Sequence, residues 1–458
     1  MIARRLAPPA IARTAVDAAR FPFGLTPRAL AFLAAGLLWI VPAWVDPRAL
    51  LLVLLWDACV AVLIALDSRR LPLPAALLVT RDWEAPLSLG SSTPVSITVH
   101  NNGAVPIHVR AADYVSPRLQ RDLVEGTLTV ARGGAATMRY TVLPRERGDA
   151  VMGVVSLEWR DDWGLIERWG IVPLEQTVRV YPDLGEGRRQ AMYLIRSRQV
   201  ALEKRRARRF GGSREFDSLR DYRPGDERRD VAWRASARRG KLVTKLYQPE
   251  RSQSVWLIVD AGRLLRARAG QHTLLDATIT GALTLAQVAL ASGDRVGLLA
   301  YGRRIQHRLA PARGAGHLRA IAEALATVNA DGVEADHAAA AAAFLAAQKR
   351  RALVVWLTEV AETAGVPDVI EHTLRIAPAH VVLFAVARQP DIAALAATSP
   401  ATPSAMYRVM SAQETLARRD ALLHGLGRRG AMVLEVSPSD LSSGLVDRYL
   451  EVKERGLL

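Results

Sequence analysis

The chain turns from polar to apolar early and abruptly. Residues 1–28 carry Arg4, Arg5, Arg13, Arg20 and Arg28 against a single Asp17 and read as a basic N-terminus. An uncharged run follows over 29–45, and after Asp46-Pro47-Arg48 a second run covers 49–66 with Asp57 as its one charged residue. Each approaches the roughly 17 to 25 residues that cross a bilayer as helix, so the pair predicts a transmembrane hairpin over 29–74. A signal peptide accounts for the first run alone but not for an immediate second one. Arginines stand before the first run and after the second (Arg69, Arg70, Arg81), while the turn holds only Arg48. This asymmetry places both chain ends, and everything after the hairpin, on the cytoplasmic side of the cell (inner) membrane. A charge at mid-span costs about 2.5 to 3.5 kcal/mol on insertion scales, so Asp57 is expected to face protein, in a helix-pairing or subunit contact. The other reading of Asp57 is a proton or substrate path.

From Leu77 the pattern shortens. Alternating segments at 94–101, 107–114, 126–134, 137–144, 151–161 and 176–182 are separated by turns such as Asn101-Asn102-Gly103 and Arg132-Gly133-Gly134. Period-two alternation punctuated in this way predicts an antiparallel β-sandwich of immunoglobulin-like type over 75–182, acting as a spacer. Beyond residue 254 the strands become continuously apolar and alternate with helices. Strands are expected at 255–262, 294–302, 304–310, 352–360, 380–387 and 431–436, and helices at 273–292, 317–328, 336–348, 368–376, 413–426 and 439–453. Such alternation predicts an α/β domain over 255–458 with a mostly parallel sheet covered on both faces.

Composition adds the question of partners. The net charge of +16 suits an anionic partner, yet charge speaks to association rather than identity. Residues 185–209 are strongly basic and read either as a solvated face or as an attraction to anionic headgroups or an acidic partner. The single cysteine, Cys59, excludes an intrachain disulfide.

Between these parts, over 183–254, lies a linker whose centre, 211–245, is neither a helix face nor an alternating strand. Arginines and carboxylates interleave there with a few aromatics, and Pro224-Gly225-Asp226 marks a turn. Gly212, Glu215, Phe216, Arg220, Tyr222, Gly225, Asp226, Arg229, Trp233, Ala237, Arg238 and Lys245 resemble the signature of a family of bacterial membrane proteins, domain of unknown function 58. The resemblance implies the layout already described, with Asn101, Arg147-Gly148, Trp163-Gly164-Leu165 and Val180-Tyr181-Pro182 similar to the family's sandwich and a von Willebrand A-like C-terminal domain. Two roles stay open for the stretch: a clasp whose charges pair internally, with Glu215 and Asp226 bonded to its arginines, or a docking surface.

The chemistry sought is not found. One glycine in Asp260-Ala261-Gly262-Arg263-Leu264 makes no dinucleotide cradle, and Walker-type, zinc-helix and Gly-x-Ser-x-Gly patterns are absent. Domains of the von Willebrand A class hold Mg²⁺ on an Asp-x-Ser-x-Ser loop, and the resemblance aligns this with Asp260, Gly262 and Leu264, which lack both hydroxyls; Glu359 stands where a later Asp is expected. The site is therefore expected to hold metal poorly, with Asp260 and Glu359 facing each other and Arg263 pairing with one of them. No cofactor is expected, and nucleic acid is not the expected partner. The resemblance implies a membrane-anchored scaffold or adaptor working with a MoxR-type AAA+ ATPase, and with no catalytic constellation in the sequence an enzyme is not expected. The alternative is a basic membrane-associated module that binds anionic lipid or polymer.

Overall fold

Two-fold alternation along the strands of the first unit puts one face of each sheet in a dry core. The computed structural model describes residues 8–44, 48, 50–119, 122–183, 214–223, 231–249, 253–360 and 368–457. It divides into two units, Met1–Tyr181 and Pro182–Leu458. The first contains β1 (Ala12–Ala15), β2 (Asp17–Leu25), β3 (Leu77–Trp83), β4 (Leu87–Ser88), β5 (Thr93–Asn101), β6 (Ile107–Asp113), β7 (Val124–Val130), β8 (Ala135–Val142), β9 (Gly148–Met152), β10 (Val155–Arg160), β11 (Ile166–Val172) and β12 (Gln176–Tyr181). They form sheets in the orders β1-β3-β5-β8, β2-β11-β10-β6-β7 and β4-β12-β9. Val79, Ile97, Val99, Ile107, Val109, Leu157 and Trp159 share one core.

Three departures from the sequence reading follow from weak local signals. The basic N-terminus is partly sheet: β1 pairs with β3 and β2 with β11, so strands on both sides of the hairpin complete the same unit. Small residues in β1 and arginines in both strands hide the alternation. The segment 151–161 is two strands, because the chain turns at Gly153, and β11 was not foreseen. Arg81, counted above among the charges flanking the hairpin, is buried in the core instead. Its guanidinium joins Asp113 on β6 through two contacts and donates to the carbonyls of Leu174 (2.7 Å) and Gly153 (3.0 Å), while the Tyr140 hydroxyl donates to the same carboxylate. Burial, with Asp113 beside it, pushes the Tyr140 hydroxyl far above its ordinary titration range.

The apolar runs form the helix Pro27–Gly36, a tighter turn Leu37–Trp39, a helical turn Ile40–Ala43, and the long helix Leu50–Arg70. The long helix is of spanning length, and only 11% of its apolar window is buried. Trp56 donates to the Phe32 carbonyl at 2.8 Å, and a Cβ at Gly36 would sit 2.8 Å from an Asp57 oxygen, so Asp57 faces the first helix across a glycine. At its far end the helix is tied to β11, since buried Asp67 accepts from the Leu165 and Ile166 amides at 3.0 and 2.9 Å and Arg168 donates to the Ser68 carbonyl.

The second unit begins with β13 (Arg214–Asp221) and β14 (Val243–Pro249), an antiparallel pair with the helix Trp233–Arg239 between them. Its main sheet uses β15 (Ser254–Asp260), β18 (Arg295–Tyr301), β19 (Ile305–Ala312), β20 (Leu353–Leu357), β21 (Val381–Ala387) and β22 (Met432–Val436); β16 (Arg268–Ala269) and β17 (His272–Thr273) make a small ladder. The order is β19-β18-β15-β20-β21-β22, parallel except for the edge strand β19. Every residue of β20 and β21 is buried, as a parallel strand covered on both faces requires. The helix Leu274–Ala291 is apolar enough to span a membrane, but 72% of its apolar window is buried, which makes it a core helix. A Thr273–Asp276 capping box starts it. Fully buried Asp294 accepts from the Gln253 amide (3.1 Å), the Tyr449 hydroxyl (2.6 Å) and Lys453 (2.7 Å), pinning the last helix, Leu441–Arg455, to the start of β15. The helix expected over 413–426 is longer, Pro403–Arg428, and is preceded by an unforeseen one, Pro390–Ala396.

Removing one member of a buried ion pair leaves the other uncompensated, at a cost of about 3 to 5 kcal/mol. Arg81→Ala or Asp113→Ala in the full chain is therefore expected to lower its thermal midpoint sharply. The apolar pair Arg81→Met with Asp113→Leu should cost less than either single change, and unfolding scans of the three variants check the order.

Candidate functional site

Parallel sheets of this order bind at the carboxyl ends of their strands, where neighbouring connections leave in opposite directions. Here that point lies between β15 and β20, which end in Asp260 and in Leu357 followed by Thr358 and Glu359. Asp260, Thr358 and Glu359 are all buried. The Asp260 carboxylate accepts from the Thr358 hydroxyl at 2.6 Å and from the Gly262 amide at 2.7 Å. Burial raises its titration point, opposed by His337 and by these donors.

The loop before helix His337–Ala347 closes over this point through backbone bonds. The Asp331 amide donates to the Ala261 carbonyl (2.7 Å), Arg263 to Val333 (2.9 Å) and Asp336 to Gly302 (2.9 Å). Gly262 and Gly302 permit that approach, since a Cβ at the first would lie 3.0 Å from the Ala335 nitrogen and at the second 2.1 Å from an Asp331 oxygen. Beneath it, the Trp356 indole donates to the Tyr301 hydroxyl (2.8 Å), which meets His337 Nδ1 at 2.8 Å. Because indole only donates, the Tyr301 oxygen accepts from Trp356, and which of the phenol and Nδ1 donates in the second bond follows the imidazole tautomer. Burial lowers the titration point of His337, against the opposing pull of Asp260.

Glu359 does not pair with Arg263. Its Oε1 accepts from Arg419 at 2.5 Å, and Arg419 also bonds the Ala387 carbonyl (2.8 Å) and lies 3.3 Å from Glu435. Arg263 reaches outward to Glu334 at 2.8 Å. Asp260 and Glu359 thus turn to different partners, Thr358 and Arg419. Thr358 was legible as the residue before Glu359; Arg419, some sixty positions on, had no local signal. Leu264 sits half-buried in the short turn Arg263–Arg266 and supplies no hydroxyl. Among the described residues no group of three or more His, Cys, Asp or Glu side chains is placed to hold a metal ion.

The signature stretch is a hairpin with a helix in it, contrary to the expectation of neither. Glu215 and Phe216 lie in β13 opposite Gln248 and Tyr247. Arg220 and Tyr222 are half-buried, and the Tyr222 amide donates to the Leu242 carbonyl (2.9 Å). Ser236 anchors the helix by accepting from the Val243 amide at 2.9 Å, and Gly240 ends it with φ 65°. Lys241 pairs with Asp221 at 2.8 Å and holds its carboxyl below the usual range. Trp233 is 66% exposed, not an anchor, and Arg238 is exposed too. Gly225, Asp226 and Arg229, with the expected pairing of Asp226, and the basic run 185–209 lie outside the described residues.

Residues 218–393 match the family described as protein of unknown function DUF58. The uncharacterized protein YeaD of Bacillus subtilis (strain 168) is 28% identical over 195 residues, which are 38% of this chain and 45% of YeaD, so the match spans about half of that relative. Among solved structures, the conserved hypothetical protein BatB from Bacteroides thetaiotaomicron is covered completely by 45% of this chain, at 10% identity and a TM-score of 0.29. Proximal thread matrix protein 1 of the mussel byssus gives 12% identity and a TM-score of 0.28 over 43% of this chain and 46% of its own. Scores this low define no shared fold.

Burial pushes the Glu359 carboxyl from its ordinary 4.5 up to about 7, against the opposing pull of Arg419. The folded protein keeps this proton to a higher pH than the unfolded chain, so the stability it contributes is full below pH 4.5 and is lost as pH rises to about 7. Thermal scans across that window should show the fall, and Glu359→Gln should flatten it.

Proposed function

We propose that this chain is a membrane-anchored scaffold or adaptor whose C-terminal unit is a von Willebrand A-like domain that binds a protein partner without a metal. The observation that carries the reading is the saturated Asp260, whose two oxygens are taken by Thr358 and the Gly262 amide. The sheet order, with its antiparallel edge strand, supports the von Willebrand A comparison, and the antiparallel sheets of the first unit support the immunoglobulin-like one. Around Asp260 the framing loops expose Arg263, Arg266, Arg303 and Arg304 beside Asp331, Glu334 and Asp336, with Arg263 paired to Glu334. Cations at this rim take the place that a metal holds elsewhere, and a partner with acidic side chains is its complement. A MoxR-type AAA+ ATPase is the partner proposed. The anchor is the helical hairpin, both of whose ends lead into strands of one unit and so lie on one side of the bilayer; the arginines at those ends assign that side to the cytoplasm.

Affinity capture of the full chain in mild detergent should retain the ATPase equally with and without chelator. Arg263→Glu with Arg303→Glu should abolish capture while the thermal midpoint holds. Retention that needs Mg²⁺ and vanishes in Asp260→Ala, or binding only to heparin or acidic vesicles, would overturn the reading. For the anchor, reporters fused after Pro74 and after Leu458 should both read cytoplasm.

A further inference from the structure

The outer face of the five-stranded sheet β2-β11-β10-β6-β7 holds a cavity of about 580 Å³, whose charged lining is Arg28, Arg110 and Arg160 with Glu158, Asp161, Asp162 and Glu167, beside His108. Most of these charges are matched. Arg110 pairs with Glu125 at 2.9 Å and lies 3.7 Å from Glu158, and His108 bridges Thr129 (3.1 Å) and Asp162 (2.9 Å). Among the described residues Arg28, Arg160 and Glu167 make no ion pair this short, although Glu167 adds to the field that favours the Arg110 charge.

The two arginines are brought together by design of the backbone. The Thr26 hydroxyl donates to the Gly164 carbonyl at 2.6 Å, and the Thr26 amide to Leu165 at 3.1 Å, which fastens the start of the helix Pro27–Gly36 to the loop after β10. A single point beside the Gly164 Cα, where a Cβ would stand, then lies 3.2 Å from an Arg28 terminal nitrogen and 3.9 Å from the Arg160 Cδ. Arg28 Nη1 and the stem of Arg160 thus border one point of the cavity, and the planar forks of two exposed guanidinium groups on one wall suit a phosphate. Position narrows the ligand further. Arg28 is the last charged residue before the apolar run, and on the same loop Trp163 is 39% exposed under the Arg70 guanidinium, 4.3 Å from its ring centre. Tryptophan and arginine at helix ends mark the headgroup level of a bilayer.

We propose that this cavity binds the headgroup of an aminophospholipid, with its phosphate on Arg28 and Arg160 and its ammonium on Glu167. The proposal rests on the hairpin lying in a membrane. Because the phosphate and the ammonium are both used, an ethanolamine headgroup is favoured over a glycerol one, which offers Glu167 no cation.

Native mass spectrometry of the full chain in neutral detergent, with phosphatidylethanolamine or phosphatidylglycerol added, reads this directly. Retention of phosphatidylethanolamine is expected to exceed that of phosphatidylglycerol. It should drop about tenfold or more in Arg28→Gln and in Arg160→Gln, as losing one charge-assisted contact implies. Glu167→Gln should erase the preference between the two lipids, and Arg69→Gln should change nothing. Equal retention of both lipids by the parent, or retention untouched by the arginine changes in variants of parental thermal midpoint, overturns the proposal. Calorimetry with soluble phosphoethanolamine and with inorganic phosphate separates the sources: tight binding of phosphate alone, without lipid retention, makes this a free-anion site and also overturns it. Carbonate extraction of membranes tests the anchor separately, since release of the chain would refute the hairpin's insertion whatever the cavity binds.

Discussion

A charge taken out of water must find donors or a counter-charge, or it costs several kcal/mol. That constraint fixes the long-range geometry of both units. In the first, Arg81 and Asp113 join β3 to β6 and draw in Gly153, Leu174 and Tyr140, so one ion pair gathers five separate segments. In the second, Asp294 collects the chain before β15 and the last helix, and Glu359 with Arg419 ties the end of β20 to the helix Pro403–Arg428. Apolar packing makes each sheet, but it tolerates sliding. The buried ions do not, because each offers its partners at only one place.

What was legible in the sequence was whatever has a local period. The continuous apolar strands β15, β20 and β21, the capped helix Leu274–Ala291 and the alternating strands β5, β6 and β8 stand in the structure close to where hydropathy put them. What was illegible depended on distant partners. β1 and β2 have little pattern of their own and become strands because β3 and β11 offer edges. Arg81 looked like an interfacial charge since nothing nearby in sequence announces Asp113. At the candidate site, Asp260 and Glu359 were found from the ends of their strands, but their partners were misjudged: Arg263 was near in sequence and Arg419 was near in space.

The top of the main sheet is accordingly closed and stiff. Asp260 is saturated, its covering loop is stitched by backbone bonds, and Tyr301 sits between Trp356 and His337.

The pairing of β1 and β2 with strands beyond the hairpin also sets an order of assembly. A ribosome releases Ala12–Leu25 first, yet their partners at Leu77–Trp83 and Ile166–Val172 arrive only after both apolar helices have emerged. The earliest strands must therefore wait, unpaired, until the helices have turned back, and the unit is sealed last at the edges that were made first. Closure of the hairpin becomes a checkpoint for folding: helices that fail to turn back hold the flanking strands apart, and the sheets cannot close.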